Sequence, residues 1–406
     1  MVSSPKRSMK FIGIDIASEK HVVAVIDAEG AVLVKPTRFT EDVSGYEKLL
    51  ELIGPAEGAL VALEATGHYW QNLFATLVAS GFAVALLNPL QTRRFAEVDM
   101  PRAKTDAVDA LSIAKFAAEK RPTPTALPDG ATLELRELVR LRDRYVQDLG
   151  DRVRQLHRAL DLTFPEFTRL VSGLDSELAT SLLTRCQTAM QFATQPLRQL
   201  SRLVYDGRRQ VGEELAKQLI HTARVSVGKH HGPAYRRQVQ EFCADIATFR
   251  TRIGDLEDDI HGTLKRHETA MLLTTINGIG ETTAARLVAE LGDITKFESA
   301  DALAAFVGVV PAVSHSGKRT PLHAPLACFG HSRLRAKLWM PTLVAVKRNP
   351  WLRAFYERLI ARGKLPKVAL TAALRKLLHA IYSVAKSRKP FVPMLPQNAS
   401  KVSHVA

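Results

Sequence analysis

Over the first 120 positions, apolar residues come in short runs of strand length, broken by polar turns and by two amphipathic stretches. Phe11, Ile12, Ile14 and Ile16 mark a first strand, "HVVAVID" a second, and "AEG" a turn into a third. "DVSGYEKLLELIG" repeats its apolar positions at helical spacing. "ALVALEATG" is a buried-type strand, "YWQNLFATLVASG" a helix closed by Gly81, and "FAVALLNP" a strand stopped by Asn88-Pro89. Helical segments follow, among them "KTDAVDALSIAKF", so the order is βββαβαβα.

"RPTPTALPDG" (121–130) is Pro-rich and predicts a linker between domains. The pattern then turns helical. Val239, Phe242, Ile246, Phe249, Ile253, Leu256 and Ile260 are spaced alternately by three and four, a heptad stripe that predicts a coiled-coil segment. An earlier stripe runs through Leu138, Tyr145, Leu149, Val153, Leu156 and Leu160. The two could pair within one chain or between chains. Residues 165–235 carry no pattern that assigns them beyond further helices. The expected organisation is an α/β domain over 1–120, the linker over 121–130, a helical, coiled-coil region over 131–268, an all-α C-terminal domain over 269–390 and a flexible tail over 391–406.

Composition adds a partner. The 406 residues are 46% hydrophobic and carry a formal net charge of +15, which suits a globular chain that meets a polyanion, most often nucleic acid. The charge is uneven. Residues 1–120 hold 13 Lys and Arg against 15 Asp and Glu, whereas residues 330–389 hold 15 Lys and Arg against Glu357 alone. Seven arginines crowd residues 136–158, either a solvated helix face or a phosphate-binding one. The three cysteines (Cys186, Cys243, Cys328) form no C-x-x-C pair, which argues against a disulfide framework or a zinc site and fits a reducing cytosol. No apolar run reaches the roughly 18–20 residues of a membrane span. "MVSSPKRSMK" leads straight into a strand, so no signal peptide is expected.

The acidic end supplies candidate chemistry. Asp15 lies inside the first apolar strand and Glu64 in a second long one, while Asp106 and Asp109 share one face of a later helix. A charge in a buried strand is costly unless it is paired or holds a metal. Four carboxylates on adjacent elements are suited to one or two Mg²⁺ ions, since hard cations take oxygen ligands and a metal pair assists phosphoryl transfer. The element order is that of a ribonuclease-H-like domain, although other α/β folds open similarly. His68, Tyr69 and Trp70 follow Glu64, as aromatic core or as a base-stacking group.

The basic end supplies candidate contacts. "LTTINGIGETTAARLVAELGD" (273–293) has the helix-hairpin-helix pattern, in which Gly278 and Gly280 let the backbone approach a phosphate and Thr282 opens the next helix. "AFVGVVPAVSHSGKRTPLH" places Ser316 before Lys318 and Arg319. A serine hydroxyl needs activation to act as a nucleophile, and Ser314 competes with it. In residues 346–389 basic and aromatic residues alternate. Arg333, Lys364, Lys367, Arg375 and Lys376 are candidates to follow a phosphate backbone, while Trp351 and Phe355 are equally suited to the core.

Taken in order, "GIDIASEKH", "LEATGHYW", "NPLQTRRFAEVDMPRAKTDAVDALSIAKF", "INGIGETTAARLVAELGD", "GVVPAVSHSG" and "NPWLRAFYERLIARGKLPKVAL" resemble the DEDD-type insertion-sequence transposases, a family that includes the pilin-gene invertases and bridge-RNA-guided recombinases. The resemblance covers roughly 10–120 and 270–385. It implies that Asp15, Glu64, Asp106 and Asp109 are the tetrad of a RuvC-like domain, that Ser316 is the covalent nucleophile of a C-terminal transposase domain, and that Mg²⁺ is the cofactor. It further implies a homodimer or higher oligomer acting in the bacterial cytoplasm at the nucleoid, on double-stranded DNA at element ends and target, with a structured non-coding guide RNA and no membrane. Ser18-Glu19 departs from the family, in which a lysine often follows the first Asp; no tetrad residue is affected. Three other readings compete: a RuvC-like junction nuclease using the metal site alone, an actin-like ATPase, for which no Gly-rich phosphate loop is found in the first half, and a non-catalytic nucleic-acid-binding scaffold.

Overall fold

The structure, a computed structural model, describes residues 9–65, 67–98, 105–126, 128–311, 326 and 329–393. It divides into two compact units, 1–127 and 128–406.

The first unit is built on a five-stranded sheet. Strands β1 (Lys10–Asp15), β2 (Lys20–Ile26) and β3 (Val32–Thr40) form an antiparallel meander, followed by α1 (Val43–Ile53), β4 (Ala59–Glu64), α2 (Trp70–Ala79), β5 (Ala83–Leu87), α3 (Pro89–Val98) and α4 (Asp106–Lys120). The sheet order is β3-β2-β1-β4-β5, with β1, β4 and β5 parallel. The local signals read from the sequence have physical counterparts. Gly30 takes a positive φ of 89° in the β2–β3 turn, and the Asp42 carboxylate caps α1 by accepting the Gly45 N–H at 2.7 Å.

Alternate residues of the central strands face opposite sides. Ile12, Ile14, Val61 and Leu63 pack with residues of α1 and α2. Phe11, Leu60 and Ala62 pack with Ile113, Ala114, Phe116 and Ala117 of α4. Gly13 shares that second face, where α4 presses so close that a Cβ there would overlap Ala110 O and Ala114 N. The Pro-rich segment begins as part of this unit, because Thr125 donates its N–H to Val84 O at 2.7 Å and accepts the Leu86 N–H at its hydroxyl at 2.9 Å.

The second unit hangs on two long helices, α5 (Gly130–Thr163) and, later in the chain, a 32-residue helix spanning Pro233–Leu264. Between them lie α6 (Phe167–Leu170), α7 (Glu177–Arg185), α8 (Ala189–Ala193), α9 (Leu197–Ser201), a hairpin of β6 (Val204–Tyr205) and β7 (Arg209–Gln210), and α10 (Glu213–Arg224). The 32-residue helix is α11. After it come α12 (Glu268–Leu273), α13 (Glu281–Leu291), α14 (Ala300–Val307), α15 (Ser332–Arg348), α16 (Pro350–Ala361) and α17 (Pro366–Ser387).

The two apolar stripes settle against each other within one chain. Arg142 pairs with Glu257 and Arg152 with Asp245, so α5 and α11 run antiparallel. Each end of this pair enters a different core. Leu156, Leu160, Val239 and Ile246 pack with residues 164–223, the stretch the sequence left unassigned. Leu135, Val139, Ile260 and Leu264 pack with α12–α17. By length and hydropathy α17 would span a membrane, but Leu374, Leu377, Leu378 and Ile381 are buried in that core.

Candidate four-carboxylate site and nucleic-acid surface

Asp15 and Glu64 end neighbouring parallel strands. The register pairs Gly13 with Ala62 and Ile14 with Leu63, so the two carboxylates follow side by side on the face that α4 covers. Because Gly13 lacks a side chain, α4 rests directly on β1, and Asp106 and Asp109 occupy the first turn of that helix. Thr105 caps it, its hydroxyl accepting the Val108 N–H at 3.4 Å. Acids at a helix N-terminus are favoured by the macrodipole, which offsets part of the repulsion between Asp106 and Asp109.

Electrostatics tie the four together. Burial, and then the negative charges of Asp109, Asp106 and Glu64, push the Asp15 carboxyl up from 3.8 to about 6; the Ile16 N–H acts the other way. Such a group is stabilised by a nearby cation. Two of its neighbours have partial partners. Asp106 lies 3.7 Å from Arg38, with both side chains mostly in water, and Glu64 accepts the hydroxyl of Thr92, which is buried on α3. Among the described residues, no three Asp, Glu, His or Cys side chains are grouped closely enough to enclose a metal ion. The donor set itself, four carboxylates of which three raise the charge cost of Asp15, fits a hard divalent cation. Thr92 was not singled out in the sequence, since a threonine within "NPLQTRRF" gives no local signal of what it meets.

The serine loop lies outside the described residues, including Ser314, Ser316, Lys318 and Arg319. Its base is described. Pro311 pairs with Leu326 in an isolated antiparallel bridge. Gly308 and Gly330 back onto each other, a Cβ on Gly330 falling 2.5 Å from the Gly308 Cα. Arg335 donates to Gly308 O at 3.1 Å.

The basic candidates divide. Lys364 and Lys367 are exposed. Arg375 pairs with Asp301 at 2.8 Å and Arg333 with Glu290 at 2.7 Å. Lys376 sits 5.1 Å over the Trp351 ring, and Trp351 packs on the core. On α5, Arg136 donates to Ala289 O, Arg140 pairs with Glu290, and Arg142 and Arg152 pair with α11. These four arginines are joints between helices, whereas Arg144, Arg154 and Arg158 of the same helix are exposed. Gly278 has a role the sequence did not anticipate. At φ +106° it packs against α15, where a Cβ would lie 2.5 Å from the Ala345 Cα. Gly280 has open space around it and caps α13, with Thr282 in the first turn. Trp70 joins the core, whereas His68 and Tyr69 stay exposed.

Comparison with known proteins gives these positions a family. A DEDD transposase model of the IS110 type matches residues 12–165. A model described as transposase IS116/IS110/IS902 family matches residues 270–357. Among curated proteins, the chain is 27% identical over 405 residues to the insertion element IS116 uncharacterized 44.8 kDa protein of Streptomyces clavuligerus, covering 97% of this chain and 98% of the other. It is 24% identical over 390 residues to the pilin gene-inverting protein of Moraxella lacunata, covering 95% and 98%. It is 27% identical over 400 residues to the mini-circle putative transposase for IS117 of Streptomyces coelicolor, covering 94% and 95%. One model spans the strands and helix that carry the four carboxylates and the other spans the helices around the serine loop, so the chain belongs to the IS116/IS110/IS902 family of transposases, enzymes that cleave DNA and transfer its strands.

Proposed function

We propose that this transposase excises and inserts an insertion sequence by using Asp15, Glu64, Asp106 and Asp109 as one Mg²⁺-binding site and Ser316 as a covalent nucleophile. The observation that supports the reading is at Asp15, where burial and then the charges of Asp109, Asp106 and Glu64 push the carboxyl up to about 6. The strand order β3-β2-β1-β4-β5 supports a ribonuclease-H-like, RuvC-like domain for the first unit.

When bound, Mg²⁺ would neutralise charge on the scissile phosphate and on the oxygen that departs from it. The chain's own residues supply the rest. The four carboxylates hold the cation, and Thr92 orients Glu64. The Ser316 Oγ forms a bond to phosphorus, the bond from phosphorus to the departing strand oxygen breaks, and the serine proton ends on that oxygen. Lys318 and Arg319 offset phosphate charge. One phosphodiester replaces another, so no nucleotide hydrolysis is required. The family resemblance extends the proposal to dimeric assembly, a structured guide RNA, and a cytoplasmic, nucleoid-bound setting.

The test is covalent trapping. Nicked element-end DNA incubated with the full chain and Mg²⁺ should leave, after proteolysis, a DNA-linked peptide containing Ser316. Asp15→Ala, Glu64→Ala, Asp106→Ala and Asp109→Ala should each abolish strand exchange in a folded protein. The metal-only junction nuclease is the second reading, because it needs only the four carboxylates, whose charges meet at Asp15. Strand cleavage by Ser316→Ala without a covalent species would favour it.

A further inference from the structure

His21 is fully buried at the start of β2. Its two ring nitrogens have different partners. Nδ1 accepts the Ala17 N–H at 3.3 Å. Nε2 lies 2.8 Å from Glu41 Oε2. An N–H cannot accept another N–H, so the Ala17 contact fixes Nδ1 as bare and Nε2 as the protonated donor. Glu41 is fixed in turn, accepting the Tyr46 hydroxyl at 2.6 Å and the Asn72 amide at 3.3 Å. Burial opposes ionisation of Glu41, but the hydrogen bonds from Tyr46, His21 and Asn72 outweigh it and hold the carboxyl below its usual range.

Ala17 is two residues past Asp15, in the exposed turn Ala17–Glu19 that joins β1 to β2. Asp15 pairs across the meander with Val22, so the turn is short and its backbone governs where the end of β1 points. The imidazole ties this turn, and Glu41, itself held by Tyr46 and Asn72, holds the imidazole.

We propose that His21 is a positioning residue for the acid cluster: its bare Nδ1, held in that tautomer by Glu41, anchors the Ala17 amide and so sets the aim of the Asp15 carboxylate toward the bound cation. The proposal rests on the reading of the four carboxylates as a metal site. Residues behind a metal's ligands commonly tune affinity by about 10–100-fold. An ordinary core histidine would change stability and leave cation affinity alone.

Two substitutions separate the nitrogens. His21→Asn keeps an acceptor oxygen at the Nδ1 position and loses the reach to Glu41. His21→Gln keeps a polar group near the Nε2 position and loses the acceptor for Ala17. The measurement is the rise in melting temperature of the full-length protein on titration with Mg²⁺ after chelation, with the cation-free melting temperature as the check on folding. Wild type should respond and Asp15→Asn should not. His21→Gln should need about tenfold more Mg²⁺ than wild type, and His21→Asn should stay much closer to wild type. Equal Mg²⁺ dependence in wild type and His21→Gln would overturn the positioning role while leaving the metal site standing. A wild type with no Mg²⁺ response would overturn the metal reading and this proposal with it. If neither variant folds, the wild-type protein still answers. Nitrogen-15 NMR of His21 should show protonation at Nε2 and a bare Nδ1, and Mg²⁺ should shift the Ala17 amide. A proton on Nδ1 would refute the proposal.

Discussion

Gly13 on β1 lies so close to α4 that a Cβ at residue 13 would stand 2.9 Å from the Ala114 Cα, and closer still to Ala110 O and Ala114 N. The helix that touches Gly13 carries Asp106 and Asp109, and the strand that holds Gly13 ends in Asp15. One missing side chain therefore sets the spacing between two halves of the acid cluster. Gly13→Ala must push backbone away from backbone, which costs at least about 1–3 kcal/mol. Both stability and Mg²⁺-dependent strand exchange should fall. Chemical denaturation and an exchange assay on the same preparation check it; unchanged exchange would mean that α4 tolerates displacement.

The raised Asp15 carboxyl predicts a pH signature. Between the ordinary value of 3.8 and about 6 the folded chain keeps a proton that the unfolded chain has released. The contribution of Asp15 to stability is therefore present below that window and lost as pH rises through it. Glu41 and Glu290, whose carboxyls are depressed, act in the opposite sense. The quantity to read is the difference between wild type and Asp15→Asn in chelator. Asp15→Asn should gain on wild type from pH 4 to pH 6, and saturating Mg²⁺ should erase that gain at pH 7. A difference that is flat with pH would place Asp15 outside the repelling cluster.

The two glycines of "NGIG" should behave differently. Gly278→Ala meets Ala345 and a positive φ, so it should destabilise by at least about 2 kcal/mol. Gly280→Ala has an ordinary φ of −86° and open space, and should change the melting temperature little. If the hairpin amides approach a phosphate, Gly280→Ala lowers DNA affinity without loss of fold. Unchanged affinity would remove Gly280 from the interface.

Charge that is already paired should contribute less to nucleic-acid binding than charge that is not. Lys364→Ala and Lys367→Ala should each weaken binding and reduce the salt dependence by about one counterion. Arg375→Ala and Arg333→Ala should do less, because Asp301 and Glu290 already neutralise them. Affinity measured across a salt series checks this, and equal slopes for all four variants would contradict it.

Glu290 joins α5, α13 and α15. Its side chain is 5% exposed and takes Arg140, Arg333 and His331. Burial opposes its ionisation, yet His331, Arg140 and Arg333 hold the carboxyl well below the usual range. Glu290→Ala should destabilise the second unit. The loss should fall short of the ~3–5 kcal/mol of a wholly buried pair, since Arg140 and Arg333 keep access to water. Thermal unfolding of the full chain measures it.

Local rules made much of this protein legible from sequence. Strands β1–β5 and helices α1 and α2 follow from short apolar runs, helical spacing and turn residues, because those signals act within a few residues. Asp15 and Glu64 stood out because a charge inside an apolar strand needs a partner, and Asp106 and Asp109 because two like charges share one helix face. The heptad spacing of α11 marked a buried stripe. Three-dimensional packing decided the rest. The sequence left open whether α5 and α11 pair within a chain, and close packing of their stripes together with Arg142–Glu257 and Arg152–Asp245 resolves it. Nothing local distinguishes an arginine that meets phosphate from one that meets Glu290, because the partner lies 150 residues away along the chain. Nor could local pattern say why Gly13 and Gly278 are glycines, since the atoms that forbid a side chain there belong to α4 and α15. Periodicity records which face of an element is apolar; only the fold determines which backbone lies against it.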